Sequence, residues 1–341
     1  MITADLFKGA QELGNFEAEY HALIDTCGLA ARGDRGHVRV AGERRAEMLN
    51  GLVTQQVIGL SGAGRHALLL SAKGRVLTDL RIFPRTDELL LDVPSSGLTN
   101  LLATFNKYLP PMHATFEDVS PSLRLLGVYG PGAAAAVREA LGRELPADHL
   151  SVDEVDIEGV SVLVVRNRRL AGDGLELVAP RASAAALAER LLSAVVAHGG
   201  RAVGARALDV ARVESGVPAY GTDMDEENLA QETGLEADAI SYDKGCYLGQ
   251  EVVARVHFRG HVNQVLRGLR FDDSRPGRGV TLVYNGKPVG RVTSAVHSPS
   301  NGPIGLGYVR REIEPGTVLR VDEAPVASCT VVELPFRRAT V

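Results

Sequence analysis

Val280–Arg310 reads VTLVYNGKPVGRVTSAVHSPSNGPIGLGYVR, and this stretch decides the architecture of the C-terminal part of the chain. Asn285-Gly286 sits between two apolar-rich runs and is the strongest short hairpin signal, because both central residues of that turn take positive φ. Around it, short strands recur at close spacing: Val265–Phe271, Val280–Tyr284, Pro288–His297, Ile304–Arg310, Thr317–Val321 and Ser328–Glu333. No helical period interrupts them. The expectation for residues 264–341 is therefore a small antiparallel β-barrel, closed or nearly so.

Upstream the hydrophobic period changes character, and one pattern occurs twice. In residues 30–120, His37–Gly42 alternates as a strand, residues 43–53 follow at helical spacing, and His66–Phe83 forms two strands around Lys73-Gly74. The strand Glu88–Val93 comes next. Ser95 or Ser96 then caps a helix carrying Leu98, Leu101, Leu102, Phe105 and Leu109, and the strand His113–Val119 closes the copy. Residues 121–205 repeat the order: strand Leu123–Tyr129, a helix opened by Gly130-Pro131-Gly132, strands Val160–Arg166 and Leu175–Ala179, a helix over 182–197, and a short strand near Ala202. The fold class is α+β. It comprises two β-α-β-β-α-β units of ferredoxin-like order, the first with an extra strand, then a motif segment at 206–263 and the barrel.

Bulk composition narrows the functional classes. At 341 residues the chain is long enough for two or three cores. A formal charge of −5 argues against non-specific nucleic-acid binding, which needs clustered Lys and Arg. Cys27, Cys246 and Cys329 are odd in number and far apart, which fits a reducing compartment. The N-terminal twenty residues carry early acids and no apolar core of a secretory signal, and no apolar run nears the ~18 residues of a spanning helix. These features predict a cytoplasmic protein with no membrane partner. Gly59, Gly62 and Gly64 precede a strand instead of a helix, so they are not a dinucleotide loop. Asp223, Asp225, Glu226 and Glu227 suit a helix N-terminus better than a cation site. Among nine histidines no His-x-x-x-His pair with a nearby acid occurs, and no metal site is expected.

The chemistry concentrates in residues 206–261, RALDVARVESGVPAYGTDMDEENLAQETGLEADAISYDKGCYLGQEVVARVHFRGH. Leu208, Ala211 and Arg212 fit a short helix ended by Gly216 and Pro218. Glu214 then falls at a helix C-terminus, where the macrodipole disfavours a carboxylate. Such a group calls for a partner, either a nearby arginine or the two parallel N–H donors of a ligand edge. Two glycines flank Cys246, and Lys244 stands two residues before it. That pairing suits a thiol of lowered pKa, against the alternative of a buried structural cysteine. Arg255, His257, Arg259 and His261 add local positive charge, either a clamp for a carboxylate tail or a solvated strand face.

Lys244–Glu251, KGCYLGQE, resembles at every one of its positions the K-G-C-[FY]-x-G-Q-E signature of the YgfZ family. Arg212–Asp223 is similar to the R-x-E-x-G-x-P-x-x-G-x-D element shared with glycine-cleavage T-proteins, and Gly286–Val309 is similar to their C-terminal barrel. The resemblance implies a central tetrahydrofolate channel. In it Glu214 takes the pterin ring, while Arg212, Tyr220 and Arg255 belong to the cofactor site, and Cys246 with Lys244 forms the working group. It also implies a role in assembly or repair of iron–sulfur enzymes, including radical enzymes that modify tRNA, with folate and such enzymes as partners and no direct nucleic-acid contact. T-proteins that transfer aminomethyl groups are expected to carry a catalytic aspartate shortly after the strand matching Glu88–Val93. Residues 94–100, PSSGLTN, hold no acid, so the alternative of a folate-dependent aminomethyltransferase is expected to fail.

Overall fold

The computed structural model describes residues 6–272, 275–322 and 327–336, so the first five residues of the N-terminal stretch lie outside the described residues. Helix α1 (Phe16–Asp25) and strand β1 (Gly28–Ala31) lead into the first unit. That unit runs β2 (Arg35–Ala41), α2 (Arg45–Asn50), β3 (Arg65–Leu70), β4 (Val76–Pro84), β5 (Glu88–Pro94), α3 (Leu98–Tyr108) and β6 (Thr115–Asp118). The second runs β7 (Leu123–Tyr129), α4 (Ala133–Leu141), β8 (Val152–Ile157), β9 (Val160–Arg166), β10 (Gly174–Pro180), α5 (Ala184–Ala197) and β11 (Arg201–Ala202).

The duplication is visible in the sheets. The first sheet is ordered β3-β4-β5-β2-β6 and the second β8-β9-β10-β7-β1-β11, the same order with β1 inserted before the last strand. Each unit therefore carries three strands between its helices, one more than the bare ferredoxin-like order. In the second unit the strand that the sequence reading lacks is Val152–Ile157, which pairs along its whole length with β9. Insertion of β1 makes β11 pair in parallel with β1 instead of with β7.

Alternation along the strands sorts side chains to two faces. Val38, Val40, Leu80, Ile82, Leu89, Leu91 and Val93 pack outward under Leu49, Leu101 and Phe105 of the helices. The second unit does the same with Leu126, Val128, Leu175 and Leu177 under α4 and α5. The opposite faces meet each other. At one end the contact is apolar, made by Phe83, Leu90, Leu125, Leu163, Val165 and Val178. At the other it is charged, and a cavity opens there.

The segment after the second unit folds as α6 (Ala205–Glu214), α7 (Glu236–Ala239) and α8 (Gln250–Arg259). The barrel follows as β12 (Gln264–Phe271), β13 (Thr281–Tyr284), β14 (Lys287–Ser298), β15 (Gly302–Arg310), β16 (Val318–Val321) and β17 (Ala327–Val332), and it is closed. Asn285 and Gly286 take φ of 49° and 75°, and Tyr284 pairs with Lys287 across the two-residue turn, as the Asn-Gly signal predicts. Tyr20, Val210 and Val213 pack with Leu306 and Tyr308, which seats the barrel on α1 and α6. Among the described residues no helix is long and apolar enough to cross a membrane.

Candidate functional site

A cavity of about 820 Å³ lies where the charged faces of the two units meet the start of α6 and the loop at 217–222. Its lining includes Arg32, Arg35, His66, Asp79, Arg81, Ser96, His149, Arg169, Glu176, Arg212 and Tyr220. Acids within largely apolar strands supply part of its negative charge, Asp79 on β4 and Glu176 on β10, with Asp92 of β5 just behind, and Asp34 and Asp209 also line it.

Asp92 and Glu176 are fully buried, and each is held by arginine from more than one segment. Arg81 bonds both carboxylates, reaching Glu176 Oε2 at 2.5 Å, while Arg35 Nε reaches Asp92 Oδ1 at 2.5 Å. Tyr129 and Asn167 donate to Glu176 Oε1 at 2.7 and 2.9 Å. Burial alone would push the Asp92 carboxyl up, but Arg35 and Arg81 overcome it and hold Asp92 well below the ordinary range. These charges are paired at the seam between the units and serve to join them.

Asp79 differs, because its partner is a histidine instead of an arginine. His66 Nε2 lies 3.1 Å from Asp79 Oδ2, and Arg169 Nη1 lies 3.0 Å from His66 Nδ1. The Asp79 side chain retains 12% exposure, toward the cavity. Burial pushes its carboxyl up, but the hydrogen bond from His66, with Arg35, brings it net below the ordinary value. This residue corrects the expectation of a site without an acid. The stretch 94–100 is indeed acid-free, but β4 delivers a carboxylate to the cavity, and Ser96 lines the same space.

The residues singled out from sequence fall into different places. Arg212 and Tyr220 line the cavity. Arg212 bonds Asp223 Oδ2 at 2.6 Å, Asp209 Oδ1 at 2.9 Å and Ser294 Oγ at 3.0 Å, and Tyr220 accepts from Asn100 at 2.9 Å. Asp223 is not a helix-start acid: it is buried and accepts from Thr293 and Ser294 of β14 at 2.6 and 2.7 Å, clamping the loop to the barrel. Glu214 ends α6 as expected but is not part of the cavity lining. Its Oε1 accepts from Tyr20 at 2.8 Å, from Asn301 at 3.2 Å and from Ser298, so hydroxyls and an amide take the place of the arginine partner.

The KGCYLGQE segment separates into an anchor and an exposed thiol. Lys244 is buried, and its three N–H donors go to the carbonyls of Asn50, Val53 and Gln55 at 2.7, 2.7 and 2.9 Å. Those carbonyls lie at and just beyond the C-terminal end of α2, a site that favours a cation. Burial pulls the ammonium down to about 8. Lys244 thus ties the loop to the first unit instead of facing the thiol. Cys246 is exposed, whereas Cys27 and Cys329 are buried and burial raises both thiols, Cys329 to about 12. Arg255 stands on an exposed part of helix α8, not on a strand, and away from the cavity lining.

Residues 4–244 match the GCVT N-terminal domain and residues 264–337 the glycine cleavage T-protein C-terminal barrel domain. The aminomethyltransferase of Cutibacterium acnes is 30% identical over 340 residues, covering 94% of this chain and 89% of its own. That of Saccharopolyspora erythraea is 28% identical over 330 residues, with the same two coverages. The crystal structure of the glycine cleavage system aminomethyltransferase T from Bartonella henselae superposes with a TM-score of 0.86 at 22% identity, covering 99% of this chain and 97% of that one, which shows the shared fold. The chain belongs to the family defined by the GCVT N-terminal domain and the glycine cleavage T-protein C-terminal barrel.

Proposed function

We propose that this chain binds tetrahydrofolate in the central cavity and acts on a one-carbon unit carried by it, with Asp79 as the carboxylate beside the reacting nitrogens. Asp79 carries the reading, as a cavity-facing acid held ionised by a neutral partner in a space large enough for a pterin and its tail. The names of the relatives support chemistry of the aminomethyl-transfer type. Arg212 and Tyr220 border the same space and are proposed to contact the cofactor. Glu214 is proposed to act on the ligand from beyond the lining, through a carboxylate already oriented by Tyr20 and Asn301.

For the physiological setting we infer a YgfZ-type role, in which the folate site serves assembly or repair of iron–sulfur enzymes, including tRNA-modifying radical enzymes, in the reducing cytoplasm. The observation favouring it is Cys246, exposed within the complete eight-residue motif. One cysteine cannot hold a [4Fe–4S] cluster, which takes four thiolates, so contact with a client is transient or uses the client's ligands. The two settings separate in one pair of assays. Asp79→Asn should lower folate-dependent one-carbon turnover by about 10²–10⁴-fold, the scale of acid–base assistance. Cys246→Ser should leave that turnover intact and fail to restore iron–sulfur enzyme activity in cells lacking the protein. Full turnover by Asp79→Asn refutes the first assignment, and full complementation by Cys246→Ser refutes the second.

A further inference from the structure

His66 stands between two charged groups of opposite sign. Arg169 has only N–H donors, so His66 Nδ1, 3.0 Å from Arg169 Nη1, accepts and carries no proton. The ring proton therefore sits on Nε2 and is donated to Asp79 Oδ2 at 3.1 Å. A second proton on the ring would aim an N–H at the guanidinium, so the ring stays neutral. Burial lowers the basicity of His66 first, Asp79 opposes this, and Arg169 and Arg81 add to it, with a net fall. Arg169 is fixed in turn by Asp238, whose side chain is half exposed. The relay Asp238–Arg169–His66–Asp79 thus takes one residue from α7, one from the β9–β10 loop, and one each from β3 and β4.

We infer that His66 is a positioning residue: the relay fixes its tautomer, keeps Asp79 ionised, and leaves that carboxylate turned to the cavity to receive a cationic or N–H-bearing one-carbon adduct of a reduced pterin. The identity of the ligand rests on the folate reading above; the relay does not. Asp79 works here as a carboxylate and not as a proton donor. The other charged groups that act on it are Arg35 of β2 and Asp92 of β5, which oppose each other. His149, beside Arg169 and His66, is itself lowered to about 4 by burial and by the arginines, so it adds no charge near neutrality.

The test needs no ligand. In the free protein, ¹⁵N spectra of His66 should show the Nε2–H tautomer from pH 6 to 8, and ¹³C-carboxyl titration should place Asp79 below the ordinary aspartate range. His66→Leu should make Asp79 protonation about tenfold more favourable, one pH unit. His66→Gln, whose amide still donates, should restore the low titration. Arg169→Met should release the tautomer to a mixture without unfolding the chain. An Nδ1–H or cationic His66, or an Asp79 titration unchanged in folded His66→Leu, overturns the inference. If the titrations behave as stated while tetrahydrofolate fails to bind, the relay stands and the folate reading falls.

Discussion

The buried pair of Arg212 and Asp223 gives a residue-scale prediction. Asp223 has no exposed side-chain surface and takes donors from Arg212, the Ala219 backbone and two barrel hydroxyls. Asp223→Ala removes the buried partner of Arg212, which keeps its bonds to Asp209 and Ser294, and should cost about 1.5–3 kcal/mol, the scale of a hydrogen bond to a charged group, read as a lower urea midpoint. An unchanged midpoint would mean the loop is held by other contacts. The motif R-x-E-x-G-x-P-x-x-G-x-D made this region legible in the sequence, but it did not say that its last residue is a clamp. Asp79 was legible by another signal that the motif drew attention away from. VLTDLRIF, LLLDVP and GLELVAP each place one or two charges within an apolar strand, and charges at that spacing share the face opposite the core. Three such strands in two repeats mark a common polar seam.

At the scale of elements, the barrel and the repeat were readable because period and turn chemistry agree locally. Asn285 supplies a direct check. Its φ of 49° is left-handed, a region a β-branched residue enters at a cost of about 1–2 kcal/mol. Asn285→Val should destabilise the barrel by about that amount, seen as a lower Tm, while Thr281→Val on the neighbouring strand should change little. Equal stability of Asn285→Val would argue for a different turn. Strand β1 was not readable, because GLAA is four small or apolar residues without alternation, and only its place between β7 and β11 makes it a strand. Strand β8, VDEVDI, is half acidic, breaks alternation at Asp153-Glu154, and pairs on one side only, at the edge of its sheet. The strand-face alternative for Arg255 fails for the converse reason: QEVVARVHFR holds three valines, yet Gly249 in left-handed conformation starts a helix there.

For the whole molecule, the seam between the units predicts acid sensitivity. His37, His66 and His149 are all lowered from the ordinary histidine value, each by burial first. A group lowered on folding binds more protons in the unfolded chain, so stability rises with pH between the folded and unfolded values and falls as pH drops through that window. Tm should therefore decline from about pH 6.5, the unfolded histidine value, toward pH 4. That decline precedes the further loss expected when Asp79, Asp92 and Glu176, lowered by their partners, are protonated below the unfolded carboxylate range. His149→Asn should flatten the upper part of the decline, and a Tm constant from pH 7 to 4.5 would contradict it.

The cavity binds these scales together, since both units, the motif segment and the relay all end on it. Calorimetric titration of tetrahydrofolate into the full chain under reducing conditions tests this most directly. One saturable site per chain is expected, with affinity lowered about tenfold or more by Asp79→Asn, the scale of a lost hydrogen bond to a charged group, and left unchanged by Cys246→Ser. An absence of binding, or binding indifferent to Asp79, would contradict it.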